Sequence, residues 1–597
     1  MVTNLTVDSA PSSPNPHQLL DYHQDDWPAR RWILALLGAI CGVIIYFLAK
    51  KHDDYGWVED TLRLSLATYV GIGAAAFAFV LERGKIRGSI VFALLSGLIV
   101  ASVLYFSGNI KSWEPWRLLS AALTIIIAAP LFQGWRDGQT GTASTQTDNA
   151  ADTAGRTLFG RYYFPYRATH DRAWTNICLW GAAWLFVGIS FMLAWLLATL
   201  FDLIGIDWLK RALNQEYFTL PLIGAAFGGA VGILRDRERT LALLQKIVMM
   251  VLSVLAPVLA VGLALFLLAL PFTGLHALWD TTKSTTPILL SCIIGALILA
   301  NAVIGDSHED EARMPILRWS AMVLGAVMLP LAAIAAYSTS LRIGQYGFTP
   351  TRLWAATFTF IACAYGVAYC VALVRARGTG WSSHVRPLNL RLAIGLCALA
   401  FLLSTPVISF GGIAAKDQVN RLLSGKVKAE QFDWVAMRFD YGPAGVEALK
   451  RLVRSDAPAP IRKTAEEYLK REERYAATQE QEKQEVAGNL VVRPTGTALP
   501  AALKERLTGT DACRNMRPCN VIYDAKAQEA IIFQVYGPTV LRLVEGRWNI
   551  IPKQPQQTMA EGIDKLNSSF QKGEVEIRSV TRRQIFIDGK AAGEVFE

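Results

Sequence analysis

The chain has 597 residues, of which 52% are hydrophobic and 18% charged, with a net charge of +10. Soluble domains carry about a quarter charged residues, so an ordinary soluble enzyme is excluded. The positive charge does not indicate nucleic acid, because Arg and Lys sit in short connections between apolar runs and form no basic stripe with interleaved aromatics.

Residues 1–31 are polar and rich in Pro and Ser (Pro11, Ser12, Ser13, Pro14, Pro16), without the apolar core of a signal peptide. They are expected to be a disordered cytoplasmic tail. Arg30-Arg31 precedes the first apolar run, 32–49. A twin-arginine export signal would need a cleavage pattern that is missing, so an uncleaved span is expected. Ten further runs follow at 64–81, 89–107, 118–132, 174–201, 217–234, 247–272, 286–305, 319–341, 353–374 and 392–415. Most reach the roughly 17–25 residues of a spanning helix, and their continuity excludes the alternation of barrel strands. Residues 32–415 are therefore the expected transmembrane bundle.

Orientation follows from basic residues in alternate connections. The N-terminal tail and the even-numbered connections hold twenty Lys and Arg against ten on the other side. The N-terminus is expected in the cytoplasm, and eleven spans carry the C-terminal region outside. The stretch 138–155, rich in Thr, Ala, Gly and Asp, is expected to be a disordered loop. The aromatic and arginine residues at 160–167 are expected to anchor a span mouth.

Residues 416–488 are expected to be a helical juxtamembrane segment, broken by Ala457-Pro458-Ala459-Pro460. Short β-like runs then appear at 490–493, 521–523, 530–536, 540–544, 548–551, 574–580 and 584–587, punctuated by Glu545-Gly546 and Asp588-Gly589. A small α+β domain over 489–597 is the expectation.

Several residues invite a closer reading. Cys513 and Cys519 are spaced too widely for a zinc knuckle and have no second pair downstream. In an oxidising periplasm they would form a local disulfide; free structural thiols and a metal pair are the alternatives. The other six cysteines are expected to be apolar packing residues. Gly224, Gly228 and Gly232 line one face of the sixth span, for close helix packing or, alternatively, a passage lined by backbone. Pro257 and Pro330 fall inside spans and are expected to kink them.

Asp306, His308, Glu309, Asp310 and Glu311 form a dense acid cluster, expected to be a solvated loop rather than a divalent-metal site. Asp202 and Asp207 flank the fifth span, either facing a cavity or capping the turn beyond it. No ionisable side chain lies deep within an expected span, which argues against an ion-coupled transporter, although Asn301 or Tyr365 would still be able to bind something. The serine-nucleophile elbow, the Walker phosphate loop and the zinc-protease pattern are absent from the sequence.

The end of the last run carries a motif: Gln418 and Leu422, Ser424-Gly425, Phe432-Asp433, Arg438-Phe439, Gly442, and Gly445 followed by Ala448-Leu449. It resembles the end of the membrane part of an uncharacterised bacterial inner-membrane family, domain-of-unknown-function family 4153. The similarity extends back through Phe201-Asp202-Leu203-Ile204-Gly205-Ile206 and its neighbouring spans. The resemblance implies a multi-span envelope protein and brings no catalytic residues with it.

The sequence thus predicts an α-helical polytopic membrane protein of about eleven transmembrane helices with a C-terminal periplasmic α+β domain. It is expected in a bacterial inner membrane as a scaffold, sensor or lipid- or solute-handling component. The alternatives are a transporter or flippase with an apolar central cavity, and a membrane-embedded transferase. Expected partners are membrane lipids and, through the periplasmic domain, envelope proteins, with no cofactor, no metal and no nucleic acid.

Overall fold

A computed structural model describes residues 27–50, 60–106, 115–139, 164–274, 285–307, 311–376, 380–514, 518–532, 539–551, 572, 583–587 and 590–596. The expected tail, the loop at 138–155, the strand at 574–580, the turn Asp588-Gly589 and residues His308 to Asp310 lie wholly or mostly outside them. The chain divides into two compact units, residues 1–417 and 418–597.

In the first unit the described residues form eleven helices long and apolar enough to cross a membrane. They are α1 (Ala29–Ala49), α2 (Thr61–Val80), α3 (Ile86–Phe106), α4 (Pro115–Gln139), α5 (Tyr166–Leu203), α7 (Glu216–Arg235), α8 (Glu238–Thr273), α9 (Thr285–Ile304), α10 (Pro315–Tyr346), α11 (Pro350–Ala376) and α12 (Trp381–Ser404), with the short α6 (Trp208–Leu213) between α5 and α7. The last span differs from expectation. The apolar run 392–415 is cut at Thr405, which is extended (φ −78°, ψ 158°) because Pro406 excludes the helical conformation from the residue before it. The helix instead starts eleven residues earlier, at Trp381, and the chain after the break forms α13 (Phe410–Leu423).

Two apolar cores share α8. One joins α1, α2, α5, α7 and α8 around Leu34, Leu179 and Val231. The other joins α8 to α12 around Leu324, Met328, Leu331 and Tyr369. In the first, α1 and α7 meet backbone to backbone. A Cβ added at Gly224 would lie 2.1 Å from Gly38 O, at Gly228 2.1 Å from Leu34 O, and at Gly232 2.4 Å from Arg31 Cα. Helix association in lipid gains little from the hydrophobic effect and depends on such close packing. Pro257 and Pro330 lie in the interiors of α8 and α10, where each removes the amide donor its turn would have used.

One end of the bundle is held by arginines. Arg136 donates to Val80 O (2.9 Å) and Ser89 Oγ (3.3 Å) and pairs with Glu82. Arg235 donates to Ala78 O and Phe79 O, and Arg30 donates to Arg235 O (3.3 Å). Arg386 donates to Ile304 O (2.9 Å) and Ser307 O (2.7 Å) and lies 3.6 Å from Glu311. Each guanidinium closes the end of a neighbouring helix, where the last carbonyls lack partners of their own.

In the second unit, α14 (Trp434–Phe439), α15 (Gly442–Arg454), α16 (Ala459–Lys470) and α17 (Arg474–Gly488) precede a five-stranded sheet. Its strands β1 (Leu490–Arg493), β2 (Cys519–Asp524), β3 (Glu529–Ile532), β4 (Thr539–Val544) and β5 (Arg547–Ile551) lie in sequence order, with β1 and β2 parallel and the others antiparallel. Between β1 and β2 run α18 (Ala501–Thr508) and α19 (Asp511–Arg514), and a two-stranded sheet, β6 (Arg583–Ile587) with β7 (Lys590–Phe596), follows. Glu545 and Gly546 both have positive φ (50° and 77°), the paired left-handed turn that suits a two-residue hairpin. Cys513 and Cys519 are bonded, with Cα atoms 5.1 Å apart, in a core that includes Leu503, Leu507, Val521 and Trp548.

Replacing Gly228 with Leu is expected to push α1 from α7 and cost about 1–3 kcal/mol, as overpacking does. The matching control is Gly262→Leu, because nothing lies within 4 Å of a Cβ there. Thermal unfolding in detergent should show a lowered midpoint for the first variant only. Equal midpoints would mean the α1–α7 seam is not needed for the bundle.

Candidate functional site

Three polar side chains set the site's geometry. Asn301, near the end of α9, donates from Nδ2 to Leu297 O (2.8 Å) and to the Tyr369 hydroxyl of α11 (2.9 Å). A carbonyl can only accept, so this bond fixes the amide's orientation and leaves Asn301 Oδ1 an acceptor. Asn389 of α12 then donates to that oxygen (2.6 Å) and to Tyr369 (3.2 Å).

The first turns of α5 supply the rest. Tyr166, Thr169 and His170 stand at positions i, i+3 and i+4, which share one helical face. His170 Nε2 accepts from Trp174 Nε1 (3.2 Å), so in the neutral ring the proton sits on Nδ1. The Tyr166 hydroxyl is hydrogen-bonded to the Asn389 side chain, and Thr169 Oγ1 lies against Gly134 of α4. Close by, Asn176 donates to Gln133 Oε1 (2.9 Å) and Gln133 to Phe79 O (2.8 Å).

Of these groups, Tyr166, Thr169, His170, Asn176, Asn301 and Asn389 line a cavity of about 790 Å³ between α2, α4, α5, α9, α11 and α12. That lies within the roughly 300–1,000 Å³ of small-molecule sites. Its walls are apolar, including Ile72, Ala76, Phe79, Ile125 and Leu297, and no Asp, Glu, Lys or Arg is among the lining residues. Ile126, Ile177 and Trp180 line it while remaining more than half exposed on the bundle's side. The mouth therefore opens sideways between α4 and α5. One turn beyond the polar groups lie Arg136 on α4 and Arg386 on α12, paired as described, so cationic side chains lie past the cavity's end and not among the residues that line it.

Of the residues singled out from sequence, Asn301 and Tyr365 line this cavity. Gly224, Gly228 and Gly232 lie against α1 instead, and Asp202 and Asp207 pair with Lys210 (2.7 Å) and Arg211 (2.6 Å). Glu311 corrects the expected solvated acid loop: its side chain is 9% exposed, between Arg318 and Arg386, and accepts from Ser382 Oγ (2.8 Å). No metal-binding group of acidic, His or Cys side chains occurs among the described residues. The expectation that no ionisable group lies deep within an expected span concerns 174–201 and 392–415, and two ionisable groups lie just ahead of those runs. His170 and Arg386 sit inside α5 and α12 because both helices begin before their apolar runs do.

The junction motif has a structural role in this geometry. Asp433 caps α14 by accepting from Ala436 N (2.8 Å), and Phe432 is buried edge-on to Trp434. Gly442 has φ +62°, and a Cβ at Gly445 would meet Met437 O at 2.1 Å. The Arg438 guanidinium lies over the Phe439 ring, while Gln418 falls in α13 and Gly425 (φ +74°) just after it.

Comparison with known proteins gives one assignment. No curated protein and no solved structure matches the chain. A family model described as "Domain of unknown function (DUF4153)" matches residues 67–452, which include every residue lining the cavity. With well over half of its length matched, the chain belongs to the DUF4153 family.

Proposed function

We propose that the membrane unit handles lipid or an apolar solute, taking it sideways from the bilayer into the cavity between α4 and α5. The observation that carries this reading is the cavity itself, with apolar walls, a lateral mouth and polar groups gathered at one end. A pure scaffold has no use for such a space. A flippase or transporter, the runner-up, would have to open the arginine layer beyond the polar end. Nothing in the lining suggests a transferase, since nucleophile and base are not paired there.

The proposal extends to placement. The protein resides in a bacterial inner membrane, the arginine-held end faces the cytoplasm, and the second unit faces the periplasm, where envelope proteins can reach it. The twofold excess of Lys and Arg on alternate connections supports this orientation, as does the odd number of described spans. The bonded Cys513–Cys519 pair suits an oxidising compartment.

Two measurements test these points. Ala173 lines the cavity, and Ala173→Trp should fill it from inside without disturbing packing elsewhere. Lipid extracted from the purified variant and identified by mass spectrometry is expected to fall severalfold against the parent, at unchanged melting temperature; an unchanged load would remove the cavity as the binding site. For placement, alkaline phosphatase fused after Arg454 should be active and a fusion at Thr145 inactive. In intact protein, Cys513 and Cys519 should label with a maleimide only after reduction. The reverse fusion pattern would overturn the orientation, and labelling without reductant in an active fusion would overturn the bridge.

A further inference from the structure

A second cavity, of about 600 Å³, lies at the arginine-held end of the bundle, between the turn that joins α2 to α3 and the last turns of α4. Its wall holds three cations, Lys85, Arg87 and Arg136, together with Phe132 and Trp135, and no Asp or Glu is among the residues that line it. The larger cavity has no charged lining at all, and no residue lines both. Phe132 is held in place by stacking on Phe92 of α3, with ring centroids 4.9 Å apart, and the Arg136 guanidinium lies over its ring. Trp135 is the kind of side chain that settles at the level of lipid headgroups.

The charges in and beside this wall do not cancel. Arg136 pairs with Glu82, and Arg172 with Asp137 (3.0 Å). Lys85 stands further from the same two carboxylates, 4.0 Å from Glu82 and 3.8 Å from Asp137. Arg83 and Arg87 are exposed and make no ion pair among the described residues. Five cations thus stand against two carboxylates, and an anion can meet Arg87 without displacing a partner. The surface next to Arg87 indicates what carries that anion. Arg87, Val91, Leu94 and Leu98 stand at i, i+4, i+7 and i+11 and share one face of α3. The three apolar members are 56%, 49% and 56% exposed, on a helix long and apolar enough to cross a membrane, so hydrocarbon covers them. A free phosphate would use the cations and leave the stripe aside, whereas a phospholipid uses both. An ammonium in the headgroup would bring a further positive charge to a place where cations are already in excess.

We infer that this second cavity binds the headgroup of an anionic phospholipid, with Arg87 and Lys85 on the phosphate and an acyl chain along Val91, Leu94 and Leu98. Basic pockets between spanning helices suit such headgroups. Arg136 is committed to Val80 O, Ser89 Oγ and Glu82, so it adds to the positive field without contacting the lipid. The site is separate from the larger cavity and stands whether or not that cavity holds a ligand.

The test is native mass spectrometry of the full-length protein in detergent, titrated with dioleoyl phosphatidylglycerol and dioleoyl phosphatidylethanolamine. The first is expected to bind at least about fivefold more tightly. Arg87→Gln should weaken it about fivefold, the factor that one basic residue near an anionic headgroup supplies, and leave the second unchanged. Arg87→Lys keeps the charge and should keep most of the affinity. Arg375→Gln removes an exposed charge from the last turn of α11 and should change nothing. Arg87 is exposed, so the lipid-free variants should melt like the parent. Equal binding of the two lipids, or equal losses from Arg87→Gln and Arg375→Gln, would overturn the site. Inorganic phosphate at the same concentration is expected not to displace phosphatidylglycerol, and displacement would overturn the lipid assignment in favour of a soluble anion. Ala173→Trp, which fills only the larger cavity, should leave phosphatidylglycerol bound. A loss there would place this lipid in the larger cavity and overturn the second site, so each proposal can fail without the other.

Discussion

The bundle depends on how its helix ends are closed. A helix leaves its last carbonyls without partners, and hydrocarbon supplies none. In this chain the carbonyls at the ends of α2 and α9 are met by arginines from other helices: Arg136 and Arg235 at Ala78 to Val80, Arg386 at Ile304 and Ser307. A cation there also complements the negative end of the helix dipole. Glu82 and Glu311 then neutralise the guanidinium groups without competing for the carbonyls. The arginines on the more basic set of connections are in part the same residues that cross-link its helices.

This double use explains what could and could not be read in the sequence. Hydrophobic runs located ten of the eleven spans closely, because a bilayer-length apolar segment is a strong signal. The eleventh was displaced because the run 392–415 hides Pro406, while Arg386 and Arg391 make the true first half look like a loop. Once folded, Arg386 is buried against α9, a long-range contact that no local pattern encodes. Similarly, the repeat of Gly224, Gly228 and Gly232 announces a close approach but not its partner. That partner is α1, whose Gly38 and Gly42 have the same four-residue spacing and meet Gly224 O and Leu220 O.

The candidate site was largely illegible for the same reason. Tyr166, Thr169 and His170 precede the apolar run at 174 and look like a polar connection. They become interior only because α5 extends 38 residues, so that its first turns lie inside the bundle. Asn301 was visible as a polar residue in a span, yet its meaning depends on Asn389 and Tyr369, which arrive from two other helices. Polar groups that satisfy one another across helices stabilise a unique arrangement.

The reach of the family match bears on where function resides. Residues 67–452 take in α2 to α12 and the junction motif, and stop before the sheet of the second unit begins at Leu490. Every cavity residue falls within that stretch. The motif at its end organises helices through a cap, a left-handed glycine and a close glycine contact, and offers no reactive group. A shared property of the matched region must therefore come from the membrane bundle and the helices that follow it, and the cavity is its most distinctive chemical feature. The sheet, with its own core around Leu503, Val521 and Trp548 and its bonded cysteine pair, has the means to fold on its own hydrophobic interior.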